Sequence, residues 1–285
     1  MCTFTGTQGS NPCLSALLSS LGFEASERRP LDDLLSLITP MKNFKLIVEY
    51  DGTSYCGWQR QREHKSYSTV QGELEKALER LFNKRVCAEG SGRTDTGVHA
   101  IGQVASFRVD TKIPATNILK ALNTYLPYDI AIKEIKEVPP HFHARFSAKK
   151  KWYRYTILNR ALRPIFDRQY VTHIPYALNV SLMKKAGKIF EGKHDFSTVA
   201  LRAGNNKVKE VHKVKIANSG DYIYIDIIGS GFLYKMARRI TSVLIDVGRM
   251  ATDWKDVKLL IVGKKIGKEV MTAPAGGLTL MKVYY

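Results

Sequence analysis

Gly90-Ser91-Gly92-Arg93-Thr94-Asp95-Thr96-Gly97-Val98-His99-Ala100 is the most informative stretch of this 285-residue chain. Its three glycines let the backbone turn sharply and approach a ligand closely. Arg93 and Asp95 place one cation and one carboxylate inside the same loop. Two local readings are open: a ligand-binding loop, or a tight connection in which Arg93 and Asp95 only pair or cap. A P-loop is excluded because no Gly-Lys-Ser/Thr ending follows. A dinucleotide fingerprint is excluded because the loop is not part of a βα turn of the right order.

Outward from this loop the chain alternates between helix and strand patterns. Upstream, Val70, Leu74, Ala77, Leu78 and Leu81 recur at helical spacing, with Ser68 as the expected cap three residues before Gln71. Further upstream, Phe44, Leu46, Val48 and Tyr50 alternate as in a strand that ends at the turn signal Asp51-Gly52. Downstream, residues 98–109 read as a strand, and Ile118, Leu119, Leu122 and Leu126 as a helix stopped by Pro127. Residues 130–138 and 151–158 read as strands on either side of the Pro139-Pro140 break. The second half is expected to hold a helix over 181–190, strands over 208–216 and 222–228, and a terminal strand over 278–285. The strand ending at 228 is expected to feed directly into a helix whose apolar side is Leu233, Met236, Ala237, Ile240, Val243, Leu244 and Val247, stopped by Gly248. Strands and helices mixed in this way predict an α+β fold, a mostly antiparallel sheet covered by helices. The expected division is 41–148 and 149–285.

Composition narrows the partners. Forty-four Lys+Arg against 26 Asp+Glu leave a net charge of +18, which favours polyanions and points first to nucleic acid. Residues 1–40 hold Arg28 and Arg29 against Glu24, Glu27, Asp32 and Asp33, a net of −2 that leaves +20 for residues 41–285. Those 40 residues are expected to be a disordered or non-native extension, with no basic region ahead of Leu14–Leu18 to suggest a secretory signal. Residues 11–23, within the uncharged start of the chain, are too short and too rich in Ser and Gly for the roughly 20 apolar residues a bilayer crossing needs, so no membrane association is expected. Cys2, Cys13, Cys56 and Cys87 have no paired spacing, which argues against a disulfide framework or zinc knuckle and fits the cytoplasm. Cys56 and Cys87 are expected to be packed thiols. His141 and His143 lack a third ligand at useful spacing, so no metal is expected there.

The loop 90–100 also resembles the active-site motif of the TruA-type tRNA pseudouridine synthase family, a Gly-Arg-Thr-Asp-x-Gly-Val-His-Ala pattern. Five further segments follow the family's order: Tyr50-Asp51-Gly52-Thr53 with Gly57-Trp58-Gln59-Arg60-Gln61, Lys151-Trp152-Tyr153-Arg154-Tyr155, His194-Asp195-Phe196-Ser197, residues 231–238, and Ala273-Pro274-Ala275-Gly276-Gly277-Leu278. The resemblance runs from about residue 43 to the end and departs from the usual pattern at Ala237, Arg239 and Gly276. It implies the pseudouridine synthase fold and a homodimer acting on uridines of the anticodon stem-loop, tRNA positions 38, 39 and 40, without metal or cofactor.

The resemblance also implies residue roles. Asp95 would be the catalytic carboxylate, adding covalently to base or sugar or removing a sugar proton. Tyr153 would stack on the uracil or serve in proton transfer. Arg238 would pair with and orient Asp95, and Leu278 would form an apolar wall beneath the base. Arg93 would occupy the space left by a flipped base or clamp a neighbouring phosphate. Read without the resemblance, Tyr153 is a core aromatic, Arg238 a surface arginine and Leu278 a core leucine. Lys149, Lys150, Lys151, Arg60, Arg62, Lys65, Lys184, Lys185, Arg202, Lys207, Lys209 and Lys213 together would supply phosphate contacts. The competing reading is a non-catalytic basic RNA-binding protein on the same fold, which accounts for the charge but not for Asp95. A metal-dependent nuclease lacks the necessary carboxylate cluster.

Overall fold

The computed structural model describes residues 41–60, 68–204, 206–264, 266–267 and 269–285. The expectations for residues 1–40, Gln61, Arg62 and Lys65 lie outside these residues. The first strand, β1 (Met41–Tyr50), buries Phe44, Leu46, Val48 and Tyr50 on one face, as its alternation requires. It pairs antiparallel with β3 (His99–Asp110), where Phe44 lies opposite Phe107 with ring centroids 5.3 Å apart. The short β2 (Glu89–Gly90) runs along β3.

Between β1 and β2, α1 (Val70–Phe82) presents Val70, Leu74, Ala77 and Leu78 to the core. Its cap is Thr69, whose hydroxyl accepts from the amide of Gly72, rather than the expected Ser68. The Ser68 hydroxyl donates to Glu73 instead. Adjacent hydroxyl residues look alike in sequence; the extended backbone at Thr69, φ −131° and ψ 148°, selects the true cap. The next helix, α2 (Ala115–Tyr125), ends as Leu126 turns extended ahead of Pro127. β4 (Ile130–Val138) then pairs with the outer edge of β1.

The remainder builds the other side of the same sheet. β5 (Lys150–Asn159) pairs antiparallel with β9 (Tyr222–Gly229), and β9 with β8 (Val208–Ser219). β6 (Thr172–Ile174) and β7 (Gly192–Asp195) are short additions at β5 and β8. The helices are α3 (Val180–Ile189), α4 (Met236–Gly248) and the single-turn α5 (Val257–Ile261). The last strand, β10 (Leu278–Tyr284), does not add to an edge. It enters the middle, giving the order β4-β1-β3-β10-β5-β9-β8-β7. Among the described residues only β3–β10 and β5–β6 are parallel, so the sheet is mostly antiparallel, as expected.

This order places strands from residues 41–148 on one side of β10 and strands from 149–285 on the other. Register carries one buried face across the join: Tyr50 and Leu280 both lie beside Ala100, Leu280 faces Tyr153, and Tyr153 faces Ile227. The join is short, because β3 and β10 share two residue pairs, His99 with Thr279 and Ala100 with Leu280.

Two further expectations are corrected. α4 does not continue directly from β9: residues 230–235 intervene, and Lys235 sits in the left-handed region at φ 60°, so Leu233 precedes the helix. Cys87 is exposed rather than packed, because it lies in the connection between α1 and β2 rather than on a buried stripe; Cys56 is half-buried.

The face opposite the helices has its own polar tie. The Asp226 carboxylate accepts from Trp152 Nε1 at 2.8 Å and from Arg154 Nε and Nη2 at 2.8 and 2.9 Å. Asp226→Ala leaves three donors without their acceptor. We expect a loss of about 1–3 kcal/mol, seen as a lower urea midpoint at unchanged m value.

Candidate active site

The loop between β2 and β3 is held by backbone and side-chain bonds at nearly every residue. The Ser91 amide donates to Val104 O at 2.7 Å, and the Ser91 hydroxyl to Gln103 Oε1 at 2.7 Å. Gln103 Nε2 donates back to Gly92 O at 2.9 Å. The Trp58 amide donates to Thr94 O, and the Thr94 hydroxyl shares a 2.9 Å hydrogen bond with Tyr50 Oη. Burial pushes the Tyr50 hydroxyl well above the usual phenol range despite its bonds to Thr94 and Gln103, so it stays protonated. Gly57, at φ +81°, passes so close to the Thr94 carbonyl that any Cβ would collide with it. Glycine there lets the segment 55–58 support the loop from below.

Asp95, at the apex, meets Arg238. One guanidinium nitrogen, Nη1, stands 3.0 Å from Asp95 Oδ2, and Nε donates to Ala273 O at 2.7 Å. Both side chains are largely withdrawn from solvent, at 12% and 19% exposure. Arg238 lies in the first turn of α4, where the helix dipole disfavours a cation. The carboxylate and the carbonyl offset that placement. Two of its donors are thereby fixed, and with them the orientation of the Asp95 carboxylate.

Tyr153, on the buried face of β5, is close enough to Asp95 for the carboxylate's charge to act on its hydroxyl. It is 7% exposed, and its ring meets Phe232 edge-on with centroids 5.0 Å apart. Burial, with smaller contributions from Tyr50 and from the Asp95 charge, holds its hydroxyl well above the usual phenol range. Its hydroxyl is therefore held neutral, able to donate but not a ready base. The site thus joins one oriented carboxylate to a desolvated aromatic wall, drawn from both sides of β10. Among the described residues no group of three or more His, Cys, Asp or Glu side chains is placed to hold a metal ion.

A family profile described as tRNA pseudouridine synthase matches residues 46–147 and 186–285. The chain belongs to the tRNA pseudouridine synthase family, a family of isomerases. A relative from Clostridium botulinum (strain Eklund 17B / Type B), named tRNA pseudouridine synthase A, is 44% identical over 247 residues, covering 86% of this chain and all of that protein. A protein of the same name from Thermoanaerobacter sp. (strain X514) is 43% identical over 248 residues, with the same coverage. Another, from Geobacter sp. (strain M21), is 43% identical over 250 residues, covering 86% of this chain and 99% of its own. All three alignments span both sides of the sheet.

The other residues singled out in the sequence are placed less centrally. Leu278 is buried on the same face as Tyr153, opposite Tyr155 and two pairs along from the Leu280–Tyr153 pair. Arg93 points outward from the loop, exposed, with Nε 3.3 Å from Gln59 Oε1. Of the basic residues, Lys149, Lys150, Lys184, Lys185, Arg202, Lys207 and Lys213 are exposed. Arg202 is bridged to Tyr234, and Lys209 lies beside Gly231, so both border the segment that carries Phe232. Arg60 is ion-paired with Glu75. His143 accepts from the Arg145 amide through Nδ1 and packs on Phe146, a structural role.

Lys151 departs most from expectation. It is not a solvated surface cation: its Nζ donates to Ser91 O at 2.7 Å, under the loop. Sequence reading also passed over Phe232, Gln103 and the Ala273 carbonyl. Phe232 and Ala273 lie in segments the sequence already marks, but their partners Tyr153 and Arg238 are distant along the chain; Gln103 lies unremarked within the strand pattern of residues 98–109.

Proposed function

We propose that this chain isomerises uridine to pseudouridine in the anticodon stem-loop of tRNA, at positions 38, 39 and 40, with Asp95 as the catalytic carboxylate. The observation that carries the reading is the Asp95–Arg238 pair beside the buried Tyr153. In the reaction the bond from C1′ to N1 of uracil breaks, the ring turns, and a bond forms from C1′ to C5. The proton on C5 is lost and N1 gains one, so no redox partner is required. The protein must place a carboxylate at the sugar, hold the detached ring and exclude water. Asp95 supplies the carboxylate, and Arg238 fixes its direction. Tyr153 offers a flat neutral face with a donor hydroxyl, and Leu278 adds apolar wall nearby.

A uridine within a stem reaches such a site only when flipped from the stack. Arg93, exposed at the loop's edge, is placed to meet the RNA there. The +18 charge supports binding to a polyanion. The reading extends to a homodimer in the cytoplasm, as the family resemblance implies. Among the described residues no helix is long and apolar enough to cross a membrane.

The positions are tested by incubating the protein with unmodified tRNA transcripts bearing uridine at 38, 39 or 40, followed by carbodiimide labelling and primer extension. Stops at those positions are expected. Pseudouridine confined to another arm of the tRNA would overturn the positional assignment.

A further inference from the structure

We infer that Lys151 is a positioning residue for the reaction, tying the Asp95 loop to the strand that carries Tyr153. The inference rests on the isomerase reading above. β3 and β10 share only two residue pairs, so the backbone ladder holds the two sides of the site together over a short length. What fixes Asp95 relative to Tyr153 is then a set of side-chain ties across the join. Lys151 is one of them. It lies two residues before Tyr153 on β5, and residues at that spacing share a face. From that face its Nζ reaches Ser91 O, four residues before Asp95.

The loop is shaped around this ammonium. A Cβ on Gly92 would overlap Lys151 Nζ, so glycine at 92 leaves the space the ammonium occupies. The Ser91 hydroxyl and the Gly92 carbonyl are engaged by Gln103, which leaves the Ser91 carbonyl to Lys151. Burial, with Arg145 nearby, lowers the Lys151 ammonium to about 8, which still leaves it mostly protonated at neutral pH. No carboxylate among the described residues pairs with it, so the Ser91 carbonyl is its charge-assisted partner. A cation in this position orders the loop from beneath, whereas a phosphate contact would present its charge to solvent.

The test compares Lys151→Met and Gly92→Ala with the native protein, measuring kcat, KM for tRNA, and the salt dependence of tRNA binding. Gly92→Ala keeps the lysine but displaces its Nζ, so it carries the same test if Lys151→Met fails to fold. Both variants are expected to lose about 10- to 100-fold in kcat, the scale of a small misplacement of reacting groups. KM is expected to stay within about twofold, with an unchanged salt slope. Lys151→Gln, which keeps a donor without the charge, should recover part of the loss.

Native kcat in the variants overturns the inference. So does a raised KM with a salt slope reduced by about one at native kcat, because that is the signature of a phosphate contact. A native protein that binds tRNA but forms no pseudouridine would instead overturn the isomerase reading itself, so the two failures are distinguishable.

Discussion

Asp95→Asn is expected to reduce pseudouridine formation by at least about a thousandfold while leaving tRNA binding within about threefold. The substitution keeps the shape of the side chain and an oxygen for Arg238, whose Nη1 lies 3.0 Å from Oδ2 in the native protein. It removes the negative charge on which the proposed nucleophile or base depends, and losses of this size are typical when such a group is deleted. The net positive charge elsewhere on the chain is untouched, so affinity is expected to hold. Single-turnover tritium release from tRNA labelled at uracil C5, alongside filter binding, separates the two quantities. An Asp95→Asn protein with near-native turnover would show that the carboxylate has another role.

The second large effect is expected at Arg238. Arg238→Met removes the partner of a carboxylate that is itself only 19% exposed and frees the Ala273 carbonyl, which now accepts from Nε at 2.7 Å. We expect turnover to fall about a hundredfold, with a stability loss of about 1–3 kcal/mol from the groups left unpaired. Arg238→Lys should recover only part of the turnover. A single ammonium cannot reproduce the planar guanidinium that reaches Asp95 and Ala273 at once. Equal recovery by lysine would mean that charge alone matters at this position. Turnover and urea midpoints for the two variants decide between these outcomes.

Where local periodicity and punctuation determine structure, the chain could be read directly. β4 falls between Pro127 and the Pro139-Pro140 pair, and α1 follows its 3.6-residue stripe. Long-range pairing is different in kind. That β10 enters between β3 and β5 depends on partners far away along the chain, and no local pattern in residues 278–284 encodes them. Short elements were also missed: β6, β7 and α5 span three to five residues, too few for a period to show.

The same division runs through the site. Asp95 stood out in a glycine-rich loop. Arg238 on periodicity alone is a surface arginine, and only its 3.0 Å approach to Asp95, 143 residues away, gives it meaning. Lys151 misled in the opposite direction. Within Lys149-Lys150-Lys151 it looks like a third solvated charge, yet alternation along β5 turns it under the loop while its neighbours stay exposed. Composition counts charges but cannot say which of them face water.

Tritium release from 5-tritiated uridine tRNA by the native protein, with pseudouridine quantified in the same samples, tests the central claim most directly. The account predicts catalytic turnover without added metal or cofactor, with one tritium released for each pseudouridine formed. Tight tRNA binding with no release from any anticodon stem-loop would contradict it and leave a basic RNA-binding protein on an isomerase fold.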